Sequence, residues 1–236
     1  MTLALVFLFS TESQAIKIAA FGDSITRGWP YYKDDANGIA NSGGYIPGLQ
    51  SRLNANDWGS GSSVTVYNWG HPGEKVYFDG RDRFISPSAI LDSNSDYVLV
   101  MEGTNDLAIG IGPGSISDKL NAIIEDVLAA EQIPVIGTLL PRYDGDASNT
   151  SIETVNDNIH VIAQNHDIEI AELYSASANW NALMTDGLHP NTSGYNLMAD
   201  VWFNTLATEK AKREAAERAR IAGAVSATNF LLLLND

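Results

Sequence analysis

The spacing of apolar residues changes period several times along the chain. Ile16-Lys17-Ile18-Ala19-Ala20-Phe21 and Val64-Thr65-Val66-Tyr67 are short runs rich in β-branched and small apolar residues, and they predict two strands. Tyr97-Val98-Leu99-Val100-Met101 is apolar without a break, as expected of a strand covered on both faces. Residues 134–140, closed by Pro141, and residues 168–173 predict a fourth and a fifth strand. Between these runs the period lengthens to that of a helix. Tyr45, Leu49 and Leu53 mark one helix over 44–53, and Leu120, Ile123, Ile124, Val127 and Leu128 mark another over 116–130. Ile152, Val155, Ile159 and Ile162 share a third helical face. Met198, Val201, Trp202 and Leu206 share a fourth, behind a Thr192 or Ser193 cap. Strands that alternate with helices predict the α/β class: a doubly wound three-layer sandwich around a mostly parallel five-stranded sheet.

The two ends depart from this pattern. Residues 1–9 form a short apolar run, and Ser13-Gln14-Ala15 supplies the small residues of a signal-peptidase site. No Lys or Arg precedes the run. Residues 1–15 therefore resemble a secretory signal and predict a secreted or periplasmic protein; the alternative is a packed N-terminal segment and a cytoplasmic one. After the predicted domain at 16–207, residues 208–236 form a tail. Its 209–220 stretch carries five basic and three acidic residues and predicts a solvated helix. The apolar stretch that follows, ending in Phe230-Leu231-Leu232-Leu233-Leu234, is short for a membrane span, so no stable span is expected. It leaves a docked terminal helix, an oligomer contact and a sorting remnant as open readings. No internal repeat or second-domain boundary interrupts the chain.

The chain has 236 residues, 44% of them hydrophobic, which is one domain with a full core. A net charge of −15 disfavours nucleic acid as a partner, and no basic patch near the candidate chemistry offsets it. The absence of cysteine excludes disulfide and thiolate chemistry. Oligomeric state is not legible.

Ser24 follows the first strand in a turn of small residues, and the carboxyl edge of an open α/β sheet is where such folds place their chemistry. A serine hydroxyl needs a base within hydrogen-bond reach. Asp186-Gly187-Leu188-His189 offers one: an imidazole and, three residues before it, a carboxylate able to fix its tautomer. Asn68-Trp69-Gly70-His71-Pro72-Gly73 and Gly103-Thr104-Asn105-Asp106 lie between them, and each could aim an N–H at a developing oxyanion.

Together these pieces resemble the SGNH hydrolases, or GDSL esterase/lipase family. Gly22-Asp23-Ser24-Ile25 matches the first family block, with Ile in place of Leu. Residues 68–73 match the second block, 103–106 the third and 186–189 the fifth, all in the family's order. The resemblance spans roughly 16–207 and implies the SGNH, flavodoxin-like sheet. It implies Ser24, Asp186 and His189 as catalytic residues. It also implies an oxyanion hole from the N–H of Ser24, the N–H of Gly73 and the side-chain amide of Asn105. Asp23 and Asn68 are expected to brace their own loops. The chain contains no Gly-x-Ser-x-Gly elbow, which argues against the α/β-hydrolase fold despite the shared Ser…Asp…His order.

The expected activity is serine ester hydrolysis through an acyl-enzyme, with no cofactor and no metal. Short-chain acyl esters lead. A carbohydrate O-deacetylase and a lysophospholipase or thioesterase are alternatives within the family. A metal-dependent phosphoesterase is the alternative from another class. It is disfavoured because Thr26 stands where a second Asp would be needed and no Asp-x-His occurs. The aromatics Trp29, Tyr31, Tyr32 and Trp69 follow or flank the key blocks and are candidates to line an acyl pocket or a sugar platform; the other reading is that they cover the core.

Overall fold

Every predicted strand is present, joined by one that the sequence pattern does not reveal. A computed structural model describes residues 15–32, 38–85 and 94–233, with side chains as far as 224. The export segment predicted at 1–15 therefore lies almost wholly outside the described residues, as do the side chains of the apolar end of the tail. The strands are β1 (Ile16–Gly22), β2 (Ile39–Ala40), β3 (Val64–Gly70), β4 (Tyr97–Met101), β5 (Ile133–Gly137) and β6 (Glu169–Ala171). Their order is β2-β3-β1-β4-β5-β6, with every pairing parallel except that of β2 to β3. The sheet thus has six strands where five were expected. The extra one is two residues long and held by pairing with Tyr67 and Asn68, so it has no run of its own to read.

Two helical layers cover the sheet. The helix α1 (Ser24–Arg27) follows β1, α2 (Ile46–Ala55) follows β2, α3 (Arg81–Ile85) follows β3, and α4 (Thr104–Ala108) and α5 (Pro113–Ala129) follow β4. α6 (Asn149–His166) and α7 (Thr192–Leu233) complete the chain. α2 packs with α7, and α5 with α6. Tyr45, Leu49 and Leu53 are buried as their spacing predicts, and Trp202 of α7 stacks on Tyr45 with centroids 5.7 Å apart. Each such fully buried side chain contributes about 1.5–3 kcal/mol by leaving water.

Some boundaries shift for local reasons. β5 stops at Gly137, short of the predicted Leu140: the N–H of Thr138 still reaches Ala171 of β6 at 3.0 Å, but that of Leu139 turns away and donates to the Asn156 side chain at 2.7 Å. β6 begins late because the N–H of Ile168 still caps α6 through Ala163. α7 runs on without a break through the predicted solvated helix, and residues 211–224 are exposed along it. Among the described residues no helix is long and apolar enough to cross a membrane.

Omitting the short β2, the parallel strands run in the order 2-1-3-4-5. Their connections diverge between β1 and β4, and a crevice opens there at the carboxyl ends of the strands. β1 delivers Ser24 to this crevice, β3 delivers the 68–73 block beside it, and β4 delivers Asn105.

Candidate active site

Ser24 opens a single turn of helix capped by its neighbour. The Asp23 carboxylate accepts the N–H of Ile25 at 2.8 Å, which fixes the turn directly under Ser24. The hydroxyl of Ser24 lies 2.8 Å from Nε2 of His189, 165 residues away in sequence. Nδ1 of His189 lies 2.8 Å from the carboxylate of Asp186. A carboxylate only accepts, so Nδ1 carries the proton and Nε2 is left to accept from the serine O–H. The loop that holds both residues is closed on itself. Asp186 accepts the N–H groups of Leu188 at 3.1 Å and His189 at 2.8 Å, and Thr185 N–H donates to the His189 carbonyl at 2.7 Å. Burial pushes the Asp186 carboxyl up, but these N–H groups and the imidazole outweigh it and hold it below the usual carboxylate range. The acid is therefore an anion across neutral pH, as orientation of the imidazole requires.

The second block borders the Ser24 turn closely. Asn68 is buried, and its amide donates to the carbonyls of Thr26 at 3.1 Å and Ser42 at 2.7 Å while its oxygen accepts Gly70 N–H at 2.8 Å. It braces the turn that carries Ser24 as well as its own loop. Gly70 and Gly73 differ in kind. A Cβ on Gly70 would meet the Arg27 nitrogen at 2.3 Å, so this glycine serves packing, and its N–H is already taken. Gly73 is exposed at φ +76° with open space around it, and its N–H, like that of Ser24, has no acceptor among the described residues.

The third block pins the second from both sides. Asn105 donates its amide to the Glu74 carbonyl at 2.9 Å and lies 3.5 Å from the Asp23 carboxylate. Asp106 accepts the N–H groups of Val76 and Tyr77 at 3.0 and 2.9 Å, the start of a π-helical turn at Val76–Gly80. Ser24, Gly73 and Asn105 thus sit on three loops tied to one another by side chains.

The aromatics separate into two groups. Trp29 is 42% exposed with its ring centroid 6.0 Å from that of His189, and Tyr195 of α7 anchors it by donating to its carbonyl at 2.8 Å. Tyr32 packs on Trp29 at 5.6 Å, and Tyr31 meets Tyr195 edge-on at 6.3 Å. Trp29 borders the imidazole, with Tyr32 packed against it and Tyr31 on the shared anchor Tyr195. Trp69 does not join them: it is partly buried on β3 with its ring against Gly38, and it acts as packing.

Several residues here carry no sequence motif of their own. Arg142 is buried and bridges Thr104 and Asp144, so it neither lines the cleft nor faces solvent. Glu74 pairs with Arg83 in both oxygens. Glu102, at the end of β4, is 1% exposed. A charged residue directly after an all-apolar strand is the signal that could have pointed to it. Among the described residues no group of three or more His, Asp or Glu side chains has the arrangement of a metal site.

A model of the GDSL-like Lipase/Acylhydrolase family matches residues 20–197. The chain belongs to that family and is a hydrolase that cleaves ester bonds. No curated protein matches it significantly. Among solved structures, it is similar to the lipase/acylhydrolase from Enterococcus faecalis, with 22% identity, a TM-score of 0.68, and 82% of this chain and 96% of that one covered. It is also similar to an acetylxylan esterase from Geobacillus stearothermophilus, Axe2, with 18% identity, a TM-score of 0.67, and 82% and 94% covered. A third is LAE5, an alpha/beta hydrolase from the metagenome of Lake Arreo, Spain, with 18% identity, a TM-score of 0.68, and 81% and 96% covered. At these identities the likeness is one of fold.

Proposed function

We propose that the chain is a serine esterase acting on short-chain acyl esters, with Ser24 as nucleophile, His189 as general base and Asp186 as its orienter. The continuous chain of contacts from the Ser24 hydroxyl through the imidazole to the Asp186 carboxylate carries this reading. Nε2 of His189 takes the Ser24 proton as Oγ attacks the ester carbonyl carbon. The carbonyl oxygen becomes an oxyanion, received by the N–H groups of Ser24 and Gly73 and the amide of Asn105. As the C–O bond to the alcohol breaks, His189 returns the proton to the leaving oxygen, and the acyl group stays on Oγ. Water then attacks the acyl-enzyme, giving its proton to His189, which passes it to Oγ as the acid leaves.

Trp29, with Tyr31 and Tyr32 clustered about it, supports the short acyl preference, because a large ring beside the imidazole narrows the space for a chain. Each methylene left unburied forfeits about 0.8 kcal/mol, roughly fourfold in rate. Across p-nitrophenyl esters from acetate to palmitate, kcat/KM is expected to peak at the short end. A maximum at long chains would replace this reading with the lysophospholipase-like one. The exposed ring of Trp29 also favours a carbohydrate as the alcohol, since a flat exposed aromatic can stack on a sugar. Acetylated xylo-oligosaccharides in the same panel test that. The Geobacillus neighbour named as an acetylxylan esterase makes them a natural choice.

The hydrolase domain in this reading is 16–207, followed by the helical tail at 208–236, and the protein is exported with residues 1–15 removed. Mass spectrometry of protein secreted by a bacterial host is expected to give a chain beginning at Ile16. An intact Met1 on exported, active protein would rule out cleavage there.

A further inference from the structure

Two carboxyl groups lie buried beneath the loops of the site, and their surroundings differ. Asp23 is 1% exposed, accepts Ile25 N–H and lies within 3.5 Å of the Asn105 amide. Glu102 is equally buried, but neither of its oxygens has a hydrogen-bond partner among the described residues. The groups that face it are the acids Asp23, Glu74 and Asp106 and the cation Arg83. Arg83 is already engaged by the Glu74 carboxylate and the Trp69 carbonyl, and Arg142, which bears on Asp23, is held by Thr104 and Asp144. A carboxylate with N–H donors is stable as an anion; one with none, in a dry place beside other acids, is not. The single proton of the pair therefore belongs on Glu102.

We propose that Glu102 is a positioning residue that serves turnover only in its neutral, protonated form. Neutral, it lets the Asp23 carboxylate keep its hold on the nucleophile turn. Ionised, it adds an uncompensated negative charge to that of Asp23 beneath the loops that must receive an oxyanion, and turnover stops. This deepens the esterase reading and rests on its assignment of Ser24, Gly73 and Asn105.

The electrostatics agree in sign. Burial, then the negative charges of Asp23 and Glu74, push the Glu102 carboxyl well above its ordinary range, with Arg83 opposing. Burial pushes Asp23 up to about 7, opposed by Ile25 N–H and Arg142. A carboxyl raised in this way is neutral below its own pKa and charged above it. On going from neutral to alkaline pH, Asp23 thus ionises first and Glu102 later, and the active pair is the state between.

The test reads both the proton and the rate. The infrared spectrum at pH 8 is expected to contain the carbonyl stretch of a protonated carboxyl, absent from Glu102→Gln. In the wild type that band should fade as pH rises, with the same midpoint as the alkaline fall of kcat. Beyond the midpoint kcat should drop about tenfold per pH unit. Glu102→Gln, a neutral isostere, should remove the alkaline fall and leave KM unchanged. Glu102→Met, neutral and apolar, should do the same if the amide is not tolerated. A role confined to packing would leave the alkaline limb in place. An alkaline limb that persists in either folded variant, or a wild-type spectrum lacking the band, overturns the inference. The infrared reading needs no substrate, so it decides the proton even if the esterase assignment fails.

Discussion

Ser24→Ala is expected to fold normally and to lose ester turnover by about 10⁴–10⁶ in kcat, or about 5.5–8 kcal/mol of barrier. In the proposed mechanism the variant removes the one atom that forms the acyl-enzyme. Among the described residues the contact that Nε2 of His189 makes, at 2.8 Å, is to this hydroxyl. The residual rate would come from binding and from the oxyanion donors, which the variant leaves in place. Ser24 is only 7% exposed and contributes a small side chain to a capped turn. Asp23 goes on capping that turn through Ile25, so a collapse of the fold is not expected. The measurement is kcat for p-nitrophenyl acetate beside a circular dichroism melt. A folded variant that keeps most of the wild-type activity would remove Ser24 from the mechanism.

Asn105→Ala is expected to lower kcat by about 10²–10³, the effect of deleting one oxyanion donor, with KM nearly unchanged. The split between the two constants carries the information. A donor that strengthens only as charge develops acts on kcat, whereas one that binds the ground-state ester acts on KM. Asn105 also holds the Glu74 carbonyl, so loop movement is the competing explanation. The neighbouring Asp106 limits it, because its two bonds to Val76 and Tyr77 hold the same segment without Asn105. A loss that falls mainly on KM would assign Asn105 to ground-state binding instead.

Much of this is legible in the sequence. β1, β3 and β4 are continuous apolar or β-branched runs, and such runs are read locally. The helices α2, α5, α6 and α7 show the 3.6 period because one face of each meets the sheet. What failed to show was set by partners far along the chain. β2 exists only through its pairing with residues 67 and 68. β5 ends where the Asn156 side chain captures a backbone N–H. Trp69 looks like a site aromatic because it neighbours a functional block, yet it faces Gly38.

The site divides along the same line. The blocks around Ser24, Gly73, Asn105 and His189 are sequence-local motifs, so the sequence by itself determined which residues to examine and which family they resemble. It also determined the α/β class, because periodicity is a local property of the chain. Only the tertiary structure decided that Ser24 and His189, 165 residues apart, come within 2.8 Å. Only it separated the spoken-for N–H of Gly70 from the open one of Gly73. The isolation of Glu102 belongs to the same category. Its sequence neighbours indicate burial, but whether a buried acid is charged depends on the donors and charges around it; Glu102 has no donor among the described residues, and the charges come from the turn after β1, the loop after β3, α3 and α4.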